Sequence, residues 1–433
     1  MLKNLARSVM PKRVWEHLQD RREDAMLPQL HRDWLRIREG LQPLPRHADG
    51  VKRVLLIPSD PMDIAGSCGD EAMVTAVIHA ARKADPAVEV HVPVWDSNSE
   101  AMATRLGLIP MPIWTAGDFV TPMVDALRNR RFHAAVGMGA DIIDGVYKAI
   151  EPAKQLVALD LAQRLGTPAR MLGASFSTKA DKRLKPFFDS LDPGVRLGFR
   201  DAVSLDRAKA FTTATTELVA DCAFLLPPAE RIDPAVEAWI AEQRAAGRTV
   251  MGFNAHPMLL PRYDRDLEEL LIAPALAAIT AASQQRDVAW LLVPHDRRPV
   301  AGDASVLQPL HDRLAPVLGE RVRLLDGFRS AAELKATAGH LDGVVTGRMH
   351  LAIASLGRGV PVLCITYQDK FEGLMQHFTL GDEALMSVPE LGQADAADRL
   401  VRFIDDLPRA RAQVGERRPA VLAMAERNFE DFD

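Results

Sequence analysis

Arg348 and His350 stand two residues apart in "VVTGRMHLAIASLGRGVPVLCITYQDKF" (residues 344–371), and Lys370 closes the same stretch. The pair lies between a β-branched run and a 3.6-periodic apolar segment, and Lys370 follows a second β-branched run, so all three fall at predicted strand ends. Arginine offers a planar fork that fits carboxylate or phosphate, lysine a point charge, and histidine a proton that moves near neutral pH. A helix start that served structure alone would more often carry Ser, Asp or Asn. In open α/β sheets ligands bind beyond the carboxyl ends of strands and at helix N-termini. An anion is expected there, next to a group able to transfer a proton.

Further positions belong to the same pattern. "TVMGFNAH" ends a predicted strand with Asn254, and "WLLVPHD" ends another with His295 and Asp296. His295 reads either as a site residue or as a loop histidine with its bonds satisfied. Arg200 precedes the helix-start signals Asp201 and Ser204, and is either a ligand to an anion or half of a surface ion pair. In "DIAGSCGDEAM", Gly66 and Gly69 follow the first strand and Asp70-Glu71 open a helix. Glycines let a backbone approach a ligand, whereas the acids are equally explained as helix capping. "VGMGADIIDG" (residues 136–145) is a second Gly loop after a strand. "DRD" (residues 264–266) has a spacing some glycosyltransferases use for a metal, but it runs into "LEELL" and reads as a solvated helix start. No HExxH, paired CxxC or Walker loop occurs, so no metal or P-loop site is expected.

Alternating strands and helices must position these groups. Residues 1–49 read as a helical arm, as a docked surface helix rather than a membrane-surface one because acidic residues interleave with the basic ones. Residues 50–228 carry a βαβ rhythm and 229–247 a linker helix. Residues 248–395 carry a second βαβ set, and 396–433 read as helices that return to the first domain. Two Rossmann-like domains with parallel sheets flanked by helices, in a GT-B-like arrangement, are expected.

Composition narrows the class. The chain has 433 residues, 48% hydrophobic and 26% charged, with net charge −5. That excludes a generally basic nucleic-acid binder. Three widely spaced cysteines (Cys68, Cys222, Cys364) make neither a disulfide framework nor a zinc site. No run of 18 apolar residues occurs and the first thirty residues lack a signal-peptide core, so a cytoplasmic protein is expected.

From about Arg53 to Gly373 the chain resembles the polysaccharide pyruvyl transferase family, through "GSCGDEAM", "FRDAVSLDRA", "VADCAFLL", "GFNAH", "LLVPHD", "ELKATAGHLDGVVTGRMH" and "GVPVLCITYQDKFEG". "GRMH" followed about twenty residues later by "YQDKFEG", in company with "VPHD", is the most specific part. The resemblance implies a GT-B-like fold and transfer of a pyruvyl group from phosphoenolpyruvate to a sugar as a ketal. It implies Arg200, Arg348, His350 and Lys370 at donor positions, and His295 and Asn254, which lie on family motifs, are expected to bind the donor with them. The proton that such a transfer must deliver to the methylene carbon is expected from His350, with Arg348 as the catalytic clamp on the donor. No cofactor is implied beyond phosphoenolpyruvate as donor substrate.

Departures lie in the first half. Ser67 stands where the family usually has Asn, "GMGAD" replaces a Gly-Gly-Gly loop, "GASFSTK" replaces a Gly-Pro segment, and "DCA" replaces "DPA". That half is the expected acceptor side, with Gly66, Gly69 and Asp70 as acceptor ligands. The expected acceptor is a sugar of a surface-glycan (exopolysaccharide) precursor, free or lipid-linked, and any membrane association is expected to be peripheral, through that acceptor. The alternative on the same fold is a glycosyltransferase with a nucleotide-sugar donor; a third is a catalytically silent sugar- or partner-binding protein. Acceptor identity and oligomeric state stay open.

Overall fold

The computed structural model describes residues 12–45, 49–114, 117–260, 266–296, 298, 302–327, 329–366 and 371–432. Lys370 and the first two residues of "DRD" therefore lie outside the described residues. The first sheet holds β1 (Arg53–Ile57), β2 (Glu89–Pro93), β3 (Ile109–Met111), β4 (Ala134–Met138), β5 (Ala169–Ala174), β6 (Arg196–Phe199) and β7 (Thr216–Leu218). The second holds β8 (Thr249–Asn254), β9 (Val288–Leu292), β10 (Val322–Leu324), β11 (Gly343–Thr346), β12 (Val362–Thr366) and β13 (Leu385–Ser387). Their orders are β3-β2-β1-β4-β5-β6-β7 and β10-β9-β8-β11-β12-β13, and every pairing is parallel.

Parallel sheets covered by helices on both faces bury near-continuous apolar runs. Leu55, Leu56 and Ile57 of β1, all of β4 and all of β9 are buried accordingly. Each sheet reverses its winding once, between β1 and β4 and between β8 and β11. Those two switch points are where a doubly wound sheet opens a crevice for a ligand.

The arm docks. Within the Lys12–Arg38 helix, Leu27, Leu30 and Trp34 are buried in the core of the first sheet, and Trp34 Nε1 donates to Asp160 Oδ2 at 2.8 Å. At the other end, the Leu407–Glu426 helix and the turn after it return to the first sheet. Asn428 accepts from Gly173 N (2.9 Å) and donates to Ala220 O (2.8 Å), and Arg170 Nε donates to Asp431 at 2.7 Å. The Pro234–Ala245 helix belongs with the second sheet, where Trp239 Nε1 donates to Glu320 O at 2.8 Å. No described helix is long and apolar enough to cross a membrane.

Candidate functional site

At the second switch point, β8 ends on Asn254 and β11 on Thr346, side by side in the sheet. The buried carboxylate of Asp303 ties their ends together. It accepts from Asn254 Nδ2 (2.7 Å), His295 N (2.8 Å), and Arg348 Nε (3.0 Å) and Nη2 (2.5 Å). Arg348 Nη2 also lies 3.2 Å from Asp296 Oδ2, which is itself paired with Arg298. Arg348 therefore spends one edge of its fork on Asp303. Nη1 has the Met258 sulfur, at 3.9 Å, beside it.

Asn254 and His295 are both buried. Asn254 Nδ2 donates to both Val293 O (2.8 Å) and Asp303, and burial drives the His295 imidazole down to about 3. Both expected donor-side residues thus stand next to Arg348, Asn254 through the shared Asp303 and His295 through its backbone N–H to the same carboxylate. Sequence reasoning missed Asp303, whose "GDAS" context looks like an ordinary helix cap. Its side chain makes no cap bond.

His350 begins the helix after β11 and reaches across to the first domain. Its Nδ1 lies against Gly69, so close that a Cβ added there would stand 2.4 Å away. Its Nε2 is buried, makes no hydrogen bond, and lies 3.7 Å from Asp221 Oδ2. Asp221 follows β7 and is itself held by Arg200 Nη1 at 2.7 Å, while Arg200 Nε donates to Ser175 Oγ at 2.8 Å. Burial lowers the proton affinity of His350, Asp221 and then Asp70 and Asp141 oppose that, and Arg200 adds to it. Asp70 stands across from His350 with its oxygens accepting from Ser59 (2.9 Å) and Ser67 (2.7 Å), and burial raises its proton affinity.

The residues of the first loop have local partners in this geometry. The cap of the Cys68–Ala84 helix is Ser67, which accepts from Asp70 N at 3.1 Å, so the residue replacing the family's Asn has a defined local role. Gly69 makes room for His350, and Asp70 is engaged by Ser59 and Ser67. Gly66 packs against the Asp63 carboxylate.

The halves meet around this cluster. His377 Nε2 bonds Arg200 O at 2.7 Å, Gly373 packs on Asp201, and Lys335 Nζ donates to Phe224 O at 2.7 Å, just past Asp221. A hollow of about 650 Å³, lined by Met111, Pro112, Asp125 and Arg130 among others, contains none of the candidate residues. Among the described residues no group of three or more His, Cys, Asp or Glu is placed to hold a metal.

The family model of polysaccharide pyruvyl transferases matches residues 68–369, more than half of the chain. The chain belongs to that family. The match takes in Gly69, Asp70, Arg200, Asp221, Asn254, His295, Asp303, Arg348 and His350, and membership supports a transferase that moves a pyruvyl group to a polysaccharide. No curated protein matches the sequence significantly.

Solved structures resemble the transferase in fold. A UDP-N-acetylglucosamine 2-epimerase superposes with TM-score 0.55 at 10% identity, covering 88% of this chain and 95% of its own. The Neisseria meningitidis UDP-GlcNAc 2-epimerase bound to UDP-GlcNAc gives 0.54 at 9% identity, covering 88% and 99%. A glycosyltransferase from Rickettsia africae gives 0.53 at 10% identity, covering 88% and 98%. At such identities the likeness establishes the fold alone, the GT-B arrangement of two parallel sheets flanked by helices.

Proposed function

We propose that the transferase takes its pyruvyl group from phosphoenolpyruvate and joins it to two hydroxyls of one sugar in a surface-glycan precursor as a ketal. The observation that carries this reading is the buried, unbonded Nε2 of His350, set between the domains beside the Asp221–Arg200 pair and two residues from Arg348.

The donor carries a carboxylate and a phosphate. Arg348 offers Nη1 to it, oriented by the Asp303 contact, and Lys370 supplies a further charge by family resemblance. Arg200 lies beneath His350 and adds positive charge to the floor of the site. The bound anion and Asp221 favour protonated His350 against the effect of burial.

Protonated His350 delivers its proton to the methylene carbon, which becomes a methyl group. The first sugar hydroxyl adds to the neighbouring carbon and returns its proton to His350. The second hydroxyl then forms its C–O bond as the C–O bond to phosphate breaks. The phosphate leaves with that electron pair and takes the second hydroxyl's proton.

The test is phosphate release from phosphoenolpyruvate in the presence of glycan precursors, with nucleotide sugars as the rival donor. Release that depends on both donor and acceptor supports the reading. Glycosyl transfer from a nucleotide sugar, with phosphoenolpyruvate inert, would replace it with a glycosyltransferase.

A further inference from the structure

The candidate chemistry sits at the β8/β11 switch point; at the corresponding point of the first sheet, between β1 and β4, family resemblance points to Gly66, Gly69 and Asp70 but to no residue that would hold a sugar ring. The loops that leave β1 and β4 start side by side, because the buried Gln155 amide donates to both Pro58 O (2.7 Å) and Met138 O (3.2 Å). These loops carry Met62, Val146 and Tyr147, which are 49%, 46% and 51% exposed in a chain that buries most of its large apolar side chains. Tyr147 donates its hydroxyl to Asp141 at 3.2 Å. Asp141 is in turn near enough to His350 and Arg200 to bear on the charge of both.

The charge of this region says what it does not bind. Asp60, Asp63 and Asp141 come from these two loops and Asp70 from the first turn of the helix after the first; burial and then Asp60 and Asp70 hold Asp63 against ionisation, while Arg298 opposes them. Carboxyls on and beside both loops, two of them resisting ionisation, suit a neutral polyol that can donate and accept hydrogen bonds better than a phosphate or diphosphate. A neutral pyranose suits it, with an apolar C–H face for an aromatic ring and hydroxyls to donate to a carboxylate.

We propose that the β1/β4 switch point is the acceptor subsite, where a pyranose ring of the glycan lies on Tyr147, flanked by Met62 and Val146, and donates a hydroxyl to Asp141. This rests on the pyruvyl-transfer reading and adds the residues that select the sugar. Asp141, bonded to Tyr147 and electrostatically coupled to His350, fixes which edge of the ring points toward the reacting carbon.

The test uses saturation-transfer NMR on the full chain with a panel of methyl hexopyranosides, alongside calorimetry with phosphoenolpyruvate. The wild type should bind at least one pyranoside saturably. Tyr147→Ala should weaken that binding about 10-fold or more and Tyr147→Phe less than about 3-fold, because the ring is kept. Asp141→Asn should alter the ranking among epimers. Donor affinity should be unchanged in Tyr147→Ala and Tyr147→Phe. Because Tyr147 is half exposed, its variants should keep the wild-type melting temperature. Pyranoside binding by Tyr147→Ala equal to wild type, or no binding of any panel member by wild type, overturns the subsite. Absence of phosphoenolpyruvate binding would instead remove the donor assignment, with the pyranoside result unaffected.

Discussion

Replacing Gly69 by alanine puts a methyl carbon 2.4 Å from Nδ1 of His350, where ordinary contact begins near 3.4 Å, so something must move by about 1 Å. Gly69 lies in the first turn of the Cys68–Ala84 helix, where alanine is the better helix former by up to about 1 kcal/mol. Stability and turnover should therefore part company. If the imidazole gives way, the melting temperature stays level or rises, while a misplacement of about 1 Å costs roughly 10²-fold in rate, or about 2.7 kcal/mol of barrier. The assay is phosphate release at saturating donor and acceptor, read beside a thermal melt of the same preparation. Turnover within about twofold of wild type in a folded Gly69→Ala variant would refute the claim that His350 acts from this position.

Arg348→Lys keeps the charge but loses both the Asp303 contact geometry and Nη1, and should weaken phosphoenolpyruvate binding by roughly 1.5–3 kcal/mol in calorimetry. His350→Asn should leave donor affinity nearly intact and cut the single-turnover rate about 10²–10⁴-fold; weakened binding with an unchanged rate at saturation would contradict the acid–base role. Ala140 holds φ at +44°, just before Asp141, so Ala140→Gly should leave stability level or raise it by up to about 1 kcal/mol in denaturant unfolding. His256 and His295 are both lowered to about 3 by burial, so between about pH 6.5 and 3 the unfolded chain binds more protons than the folded one. Stability from this pair is complete above pH 6.5 and falls with pH at up to about 1.4 kcal/mol per unit for each, which unfolding calorimetry at pH 5 should register as proton uptake.

The central strands and the Arg348–His350 pair were legible because their signals are local: an apolar run of the right length, and two charged types where caps are expected. β3, β7 and β13 escaped notice as three-residue strands at sheet edges, too short to show alternation. β6 is interior but carries Gly198, where an added Cβ would meet Met171 O at 2.8 Å; close packing of neighbouring strands explains the glycine, and the residue hides the strand. Asp303 and Asp221 gain their roles only from tertiary contacts that join segments far apart in sequence, which no window of residues reveals. Gly69 was legible as a close-approach glycine, yet what approaches it is the protein's own histidine.

The most direct measurement is NMR of the glycan product formed from phosphoenolpyruvate in deuterated water. Proton delivery by His350 followed by two hydroxyl additions predicts a methyl group carrying one deuterium, on a quaternary carbon bonded to two oxygens of one sugar. A product that retains the methylene as an enol ether, or a glycan with no pyruvyl carbon at all, would contradict ketal transfer by this chain.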